Sequence, residues 1–387
     1  MVAPMIISRL ALKNWRNFRS VNVPLSDRVF VIGPNAAGKS NLLDVLRFLR
    51  DIAKPGGGLQ RAVAQRGGLS KVRCLSARRE PDVEIDVLLT EGEGGADLRY
   101  RIGITQMVRG YRQPKLRRET VWRGNSVILD RPDSADNKDE LRLTQTHLEQ
   151  ISANAEFREV TRFFESIRYL HLVPQLLRHP EAFQGPGVEE DPYGRNFLEI
   201  VAKTPEKTRK SRLSKIEAVL REAVPQLKNL TDTRDEAGVP HLEAVYSHWR
   251  PHAGRQREDQ FSDGTLRLIG LFWSLLEGEA PLLLEEPELS LHTAIVSKLP
   301  ALFHRLQRRR KRQLFISTHS AELLSEKGIG AEEVLLLTPD PEGTRVELAS
   351  SVEELRGPLA AGLSIADVAL PRTTPPSLDQ LDLDLYQ

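Results

Sequence analysis

The chain almost lacks cysteine: Cys74 stands alone among 387 residues, so no intrachain disulfide can brace the fold. That usage suits a reducing cytoplasm, where the sequence places the protein. Long apolar runs are missing too. The stretch Leu268 to Leu276 is far shorter than the roughly 20 residues that cross a bilayer, and Pro4 and Arg9 interrupt the apolar residues near the start. No membrane contact is expected. Charge of one sign is also lacking, because 55 Lys and Arg face 53 Asp and Glu for a formal net charge of +2. Any surface for a polyanion must therefore be local. Neither a repeat of fixed period nor the sustained heptads of a long coiled coil is present. What remains, 40% hydrophobic and 28% charged, is an ordinary globular composition. The length leaves room for two or three domains at about 150 residues each.

Against that background, Gly33-Pro34-Asn35-Ala36-Ala37-Gly38-Lys39-Ser40 stands out. It follows the apolar run Val29-Phe30-Val31-Ile32 and opens a helix-like stretch from Asn41 to Arg50. Strand, glycine loop and helix in this order form a phosphate cradle. Backbone N–H groups point inward, Lys39 reaches the β- and γ-phosphate oxygens, and the Ser40 hydroxyl ligates Mg²⁺. Residues Gly33 to Asn41 are accordingly the expected ATP-binding segment. A chance glycine turn before a helix is the plainer alternative.

Two more strand ends carry chemistry. Pro281-Leu282-Leu283-Leu284-Glu285-Glu286-Pro287-Glu288 is an apolar strand closing on paired carboxylates. Glu285 would hold Mg²⁺ or its waters, and Glu286 would orient and deprotonate the water that attacks the γ-phosphate. Taken alone, the pattern also describes a strand ending in a solvated acidic turn. One helix later, Leu314-Phe315-Ile316-Ser317-Thr318-His319-Ser320 is an apolar strand ending at a histidine, which could hydrogen-bond the γ-phosphate or the attacking water. Before the paired acids, Phe261-Ser262-Asp263-Gly264-Thr265 opens a helix. Ser262 can serve simply as its N-cap, or Ser262, Asp263 and Gly264 can be offered to the γ-phosphate of a nucleotide on another subunit.

The remaining pattern places these motifs. Short strands are expected at Met5 to Trp15 and Val21 to Pro24, and half-buried alternating strands at Val83 to Leu89, Leu98 to Val108 and Glu119 to Leu129, an antiparallel meander. Asp130 to Asp139 reads as a surface loop or linker. Helical spacing follows at Leu148 to Glu165 and Pro205 to Val224, separated by the loop-like Gly185-Pro186-Gly187 and Asp191-Pro192. The last third alternates: helix Thr265 to Leu276, strand Leu282 to Glu285, helix Thr293 to Arg308, strand Gln313 to Ser317, helix Ala321 to Glu326, strand Val334 to Leu337 and a final strand Thr344 to Leu348. Alternation of this kind implies a parallel sheet flanked by helices. The expected division is 1–130 and 255–387 as the two parts of one head, with 131–254 as an inserted, mainly helical lobe.

In order and kind, the phosphate loop, large insertion, Ser-Asp-Gly loop, Leu-Leu-Leu-Glu-Glu-Pro and Ser-Thr-His resemble the ATPase heads of the ABC superfamily. Leu12-Lys13-Asn14-Trp15-Arg16-Asn17-Phe18-Arg19 followed by Gly33 to Leu43 looks most like RecF and the structural-maintenance-of-chromosomes (SMC) proteins. The resemblance covers about residues 1–55 and 255–340. It implies an α/β P-loop NTPase head, ATP and Mg²⁺ as ligands, and a homodimer closed by ATP. In that dimer Ser262 would act from the signature loop across the interface, Leu289 to His292 would link the two sites, and His319 would be the switch histidine. Departures exist. The family usually has aspartate where Glu285 stands, and the usual lobe glutamine has only Gln65 as a counterpart.

Overcoming-lysogenization-defect nucleases resemble this head as well, but continue into a catalytic domain. The roughly seventy residues after His319 are expected to be too few for one, and Asp382-Leu383-Asp384 reads as a solvated tail. Any nuclease would be a separate partner. Two basic groups, Leu306 to Arg312 and the cluster Lys207, Arg209, Lys210, Arg212, Lys215, read either as solvated helix faces or as phosphate-backbone contacts. The functional expectation is an ATPase working on DNA in repair or in defence against foreign DNA. The alternative is an ATP-switched scaffold that assembles an effector without gripping DNA.

Overall fold

Apolar residues at every position of Val29-Phe30-Val31-Ile32 demand a strand covered on both faces. In the computed structural model of the chain it lies inside a six-stranded sheet, buried at each residue. The structure describes residues 5–77, 81–92, 97–107, 113–180, 192–247 and 254–373. Val108, Gly185-Pro186-Gly187, Asp191 and Asp382-Leu383-Asp384 lie outside the described residues. The chain forms two compact units: Met1–Arg168 with Glu279–Leu283 and Phe303–Gln387, and Tyr169–Gly278 with Leu284–Leu302.

The first unit begins with β1 (Met5–Trp15), β2 (Phe18–Pro24), β3 (Arg28–Ile32), α1 (Lys39–Ala53), α2 (Leu59–Ala64) and α3 (Leu69–Val72). The meander follows as β4 (Val83–Glu91), β5 (Leu98–Gln106), β6 (Pro114–Arg123) and β7 (Ser126–Arg131), then α4 (Ser134–Lys138) and α5 (Arg158–Ser166). β8 (Arg168–Leu170) leads into the second unit, which contains α6 (Pro174–Arg178), α7 (Phe197–Lys203), α8 (Glu206–Ala223), β9 (Leu227–Arg234), β10 (Pro240–Tyr246), β11 (Arg255–Arg257) and α9 (Asp263–Leu276). After β12 (Leu282–Glu285) and α10 (Thr293–Val296), α11 (Leu299–Arg310) leads back to the first unit. There β13 (Leu314–Ser317), α12 (Ala321–Leu324), β14 (Val334–Asp340), β15 (Gly343–Leu348), α13 (Glu353–Ala360) and α14 (Ile365–Ala369) complete the described chain.

Three sheets result. An all-antiparallel sheet has the order β2-β1-β4-β5-β6-β7, and its β5 buries Leu98, Tyr100 and Ile102 on one face, as the alternation predicted. The central sheet has the order β15-β14-β3-β13-β12-β8, with β3 parallel to both β13 and β14 and an antiparallel edge strand at β15. The antiparallel β11-β10-β9 sheet was not anticipated, since Leu227-Lys-Asn-Leu-Thr-Asp-Thr-Arg carries only two large apolar residues.

Gln313 ties the first two sheets together. Just before β13, its buried side chain accepts from Ile7 N at 2.9 Å, and its Nε2 donates to Ile7 O at 2.8 Å and Ser26 O at 2.9 Å. The contact falls at the register shift of β1 between Ile7 and Arg9, where β1 departs from regular pairing with β4.

Asp130 to Asp139 lies at the surface but is not a loop, for it holds the end of β7 and all of α4 around two buried charges, Arg131 and Asp136. Arg131 is fully buried at the end of β7, and its guanidinium pairs with Glu119 and with both oxygens of Asp136, each bond 2.9 Å long. Glu119 also accepts from His147 N, Leu148 N and Tyr100 Oη. A dense charge pattern reads as solvated only if the charges face water; here they face each other. The same network holds residues 147–148 in turns, so the helix expected from Leu148 begins at Arg158. The helix expected over Thr293 to Arg308 is broken into α10 and α11, with Pro300 placed in the first turn of α11, where its missing N–H does no harm.

Candidate functional site

The Gly33–Ser40 loop lies between fully buried β3 and the N-terminus of α1, as the motif requires. Gly38 has φ of +99°, a conformation that L side chains rarely adopt, and a Cβ there would lie 2.2 Å from Asn17 Nδ2. Asn17 fills that space because its Nδ2 donates to Ala37 O and to Thr344 Oγ1, both at 2.8 Å, while its Oδ1 accepts from Asn41 Nδ2 at 2.8 Å. Neighbouring residues brace the helix itself: Trp15 Nε1 donates to Asn41 O at 2.9 Å, and the Trp15 ring packs on Phe48 at 5.1 Å between centroids.

Arg16 donates to Asp44 on the same helix, which Arg66 also grips with two 2.9 Å bonds. Burial works against the Asp44 carboxylate, but Arg66, Arg16 and Arg47 outweigh it and hold its pKa below the usual range. The Asn14-Trp15-Arg16-Asn17 stretch, noticed in the sequence only as a resemblance, is thus the buttress of the loop.

Within the loop, buried Lys39 donates from Nζ to Gly33 O at 2.9 Å and Pro34 O at 3.2 Å. Ser40 is exposed, as are Asn35 and Ala36. α1 has no acidic residue in its first turn, and a lysine, a hydroxyl and the positive end of a helix dipole meet there. That donor set fits a polyphosphate.

His319 belongs to the same edge of the sheet. β13 pairs with β3 in the register Ser317 to Val31, and Thr318 N donates to Val31 O at 3.2 Å. Exposed His319 therefore follows a strand end that adjoins the one from which the phosphate loop starts. Gln65 is the exposed C-cap residue of α2.

The second unit gathers the other predicted residues. Ser262 caps α9, accepting from Thr265 N at 3.2 Å, and is itself exposed. Asp263 is clamped by α6, which the sequence did not suggest: Gln175 Nε2 donates to it at 2.8 Å and Arg178 Nη2 at 2.6 Å, with Arg178 also donating to Phe261 O at 2.7 Å. A Cβ on Gly264 would stand 2.9 Å from Ser290 O, so this loop and the turn after β12 touch backbone to backbone. One turn into α9, Arg267 is buried and its Nε has no hydrogen-bond partner among the described residues. Burial lowers its pKa, against the opposing pull of Glu288, Asp263 and Glu286.

At the end of β12, Glu285 and Glu286 are both half-buried. The Tyr169 hydroxyl donates to Glu285 Oε2. Glu286 has φ of +44° and Ser290 +61°, left-handed conformations costing on the order of 1–3 kcal/mol in a non-glycine residue. Such strain clusters at functional turns. Leu289 N to Glu286 O and Leu291 N to Glu288 O bonds fold Leu289 to His292 into a tight turn, and His292 Nδ1 caps α10. Glu285 in this unit, like Ser40 in the first unit, offers a hard oxygen donor of the kind Mg²⁺ takes. Among the described residues no group of three or more His, Cys, Asp and Glu is arranged to hold a metal ion.

Solved structures similar to this chain include SMC heads. A crystal structure of an SMC head bound to the C-terminal winged-helix domain of ScpA matches with a TM-score of 0.55 at 14% identity, over 88% of this chain and 97% of that one. An SMC head with an extended coiled coil from Pyrococcus furiosus, bound to the C-terminal domain of ScpA, matches with a TM-score of 0.50 at 14% identity, over 89% and 96%. At such identities the likeness establishes the fold. Endonuclease GajA of Bacillus cereus (strain VD045) is 45% identical over 47 residues, which is 12% of this chain and 8% of the endonuclease's length. Among the described residues no helix is long and apolar enough to cross a membrane. The family described as "AAA domain, putative AbiEii toxin, Type IV TA system" matches residues 28–325. The chain belongs to that family, and its fold is that of the SMC heads.

Proposed function

We propose that this chain hydrolyses ATP with Mg²⁺ as the switch of a two-subunit assembly, working on DNA in repair or in defence against foreign DNA together with a separate effector. The observation that carries the reading is the Asn17-braced loop, with Lys39 and Ser40 at its helical end. Lys39 would bind the β- and γ-phosphate oxygens within Gly33 to Asn41. Ser40 and Glu285 would hold Mg²⁺, which when bound neutralises charge on the phosphate chain. Glu286 would take a proton from the attacking water, and His319 would hydrogen-bond the γ-phosphate. Ser262, Asp263 and Gly264 of a second copy would close over the nucleotide, so that ATP joins two subunits and hydrolysis parts them. The buried single cysteine suits a cytoplasmic protein.

The test is ATP turnover with and without duplex DNA at two salt concentrations. Stimulation that fades with salt is the expected result, since each neutralised phosphate adds about 0.9 to the salt slope.

One observation favours the alternative, an ATP-switched scaffold that holds an effector without gripping DNA. In the basic cluster of α8, Arg209 pairs with Asp232, Lys210 with Glu206, and Arg212 stacks 5.0 Å over Trp273. Much of that charge is already used. Turnover indifferent to DNA at both salt concentrations would select the scaffold.

A further inference from the structure

Glu285 carries one methylene more than the aspartate expected at its position, and the extra rotatable bond leaves a carboxylate more states to lose on binding a cation. The fold answers this with a donor. Tyr169 lies on β8, the strand next to β12 in the central sheet, and its hydroxyl donates to Glu285 Oε2. Both side chains are half-buried, and both belong to the same compact unit. The chemistry of the donor matters. A lysine or arginine here would cancel the charge that a divalent cation needs, whereas a neutral phenol gives one hydrogen bond and leaves the carboxylate anionic. The bond falls on a single oxygen, Oε2.

We propose that Tyr169 is a positioning residue for Glu285, fixing the longer carboxylate so that it serves as a Mg²⁺ donor in place of aspartate. The inference rests on the reading of the chain as a Mg²⁺-dependent ATPase. It goes further by making the glutamate and the tyrosine a single functional pair, drawn from two strands distant in sequence.

Binding of Mn²⁺, a spectroscopic stand-in for Mg²⁺, tests it without turnover. The full chain is saturated with a non-hydrolysable ATP analogue and titrated with Mn²⁺ under electron paramagnetic resonance. Tyr169→Phe should weaken Mn²⁺ binding about tenfold, the lower end for loss of a residue that orients a metal ligand. Its affinity for the analogue in chelator and its thermal midpoint should stay at wild-type values. In a Glu285→Asp background the shorter carboxylate is out of the hydroxyl's reach, so Tyr169→Phe should there change Mn²⁺ affinity less than about twofold. Wild-type Mn²⁺ affinity in Tyr169→Phe, or an equal loss in both backgrounds, would overturn the pairing and leave the ATPase reading intact. A wild-type chain that binds neither analogue nor Mn²⁺ overturns both.

Discussion

The side-chain amide of Asn17 occupies the space that a Cβ at residue 38 would need, with Nδ2 only 2.2 Å from that position. The same amide holds Ala37 O and Asn41, on either side of Gly38. Asn17→Ala would leave these groups without their partner, at about 1–3 kcal/mol of loop stability. The expected result is roughly tenfold weaker binding of a fluorescent ATP analogue with the global melt little changed. Gly38→Ala should weaken binding by about 1–3 kcal/mol even in the Asn17→Ala background, because relieving the collision does not relieve φ of +99°. Recovery of binding in that double variant would show that the collision alone, and not the backbone, sets the requirement for glycine.

The proposed role of Glu286 is water activation and not nucleotide affinity. Glu286→Gln should therefore keep the Kd for ATP near wild type, cut kcat by about 10²–10⁴, and accumulate ATP-bound dimer detectable by light scattering. Normal turnover in this variant would remove Glu286 from the mechanism.

If Ser262 acts on the partner's nucleotide, Lys39→Ala and Ser262→Arg proteins should each be inactive alone. Mixed, they should regain at most half of wild-type turnover, since only one site of the mixed dimer has an intact loop and an intact opposing serine. A mixture as dead as its components counts against the shared site.

Arg178 should matter to the same step without touching nucleotide. Its bonds to Asp263 and Phe261 O fix the loop that carries Ser262, and a hydrogen bond to a charged group contributes about 1.5–3 kcal/mol. Arg178→Ala is expected to leave ATP binding by the monomer intact while lowering kcat and the dimer fraction together. A lower affinity of the monomer for ATP would place Arg178 elsewhere in the mechanism.

The buried Glu119–Arg131–Asp136 network makes stability depend on acid. The hydrogen bond from Arg131 outweighs burial and holds the Asp136 carboxyl far below its ordinary value. A depressed carboxylate contributes stability above its unfolded pKa of about 4, and that contribution is lost as pH falls through this value towards the folded one. Melting should thus fall between pH 5 and pH 3, and less steeply in Asp136→Asn. Arg131→Met strands two buried carboxylates and should cost about 3–5 kcal/mol in denaturant unfolding at pH 7.

Strands that announce themselves by periodicity were legible in the sequence: β1, β12 and the first two meander strands fall within two residues of expectation, whereas Glu119 to Leu129, expected as one strand, spans the end of β6, a turn and most of β7. Local chemistry was legible as well, so the Gly33–Ser40 loop sits between strand and helix as read. What the sequence hid are partnerships across distance. Arg131 and Asp136 look solvated until Glu119 is folded against them. β9 has too few apolar residues to declare itself, and nothing in the run around Tyr169 or Arg178 points to Glu285 or Asp263. These contacts come from topology, which a single sequence does not display.

Gln313 has a consequence for how the phosphate loop is positioned. Its side chain splices the beginning of β1 to the beginning of β13. β1 then runs on to Trp15, and two residues later Asn17 grips the loop; β13 runs on to Ser317, and two residues later comes His319. Loop and histidine are thus measured from a common datum. A displacement of one strand would carry the other with it, so loop and histidine keep their spacing like two marks cut into one piece.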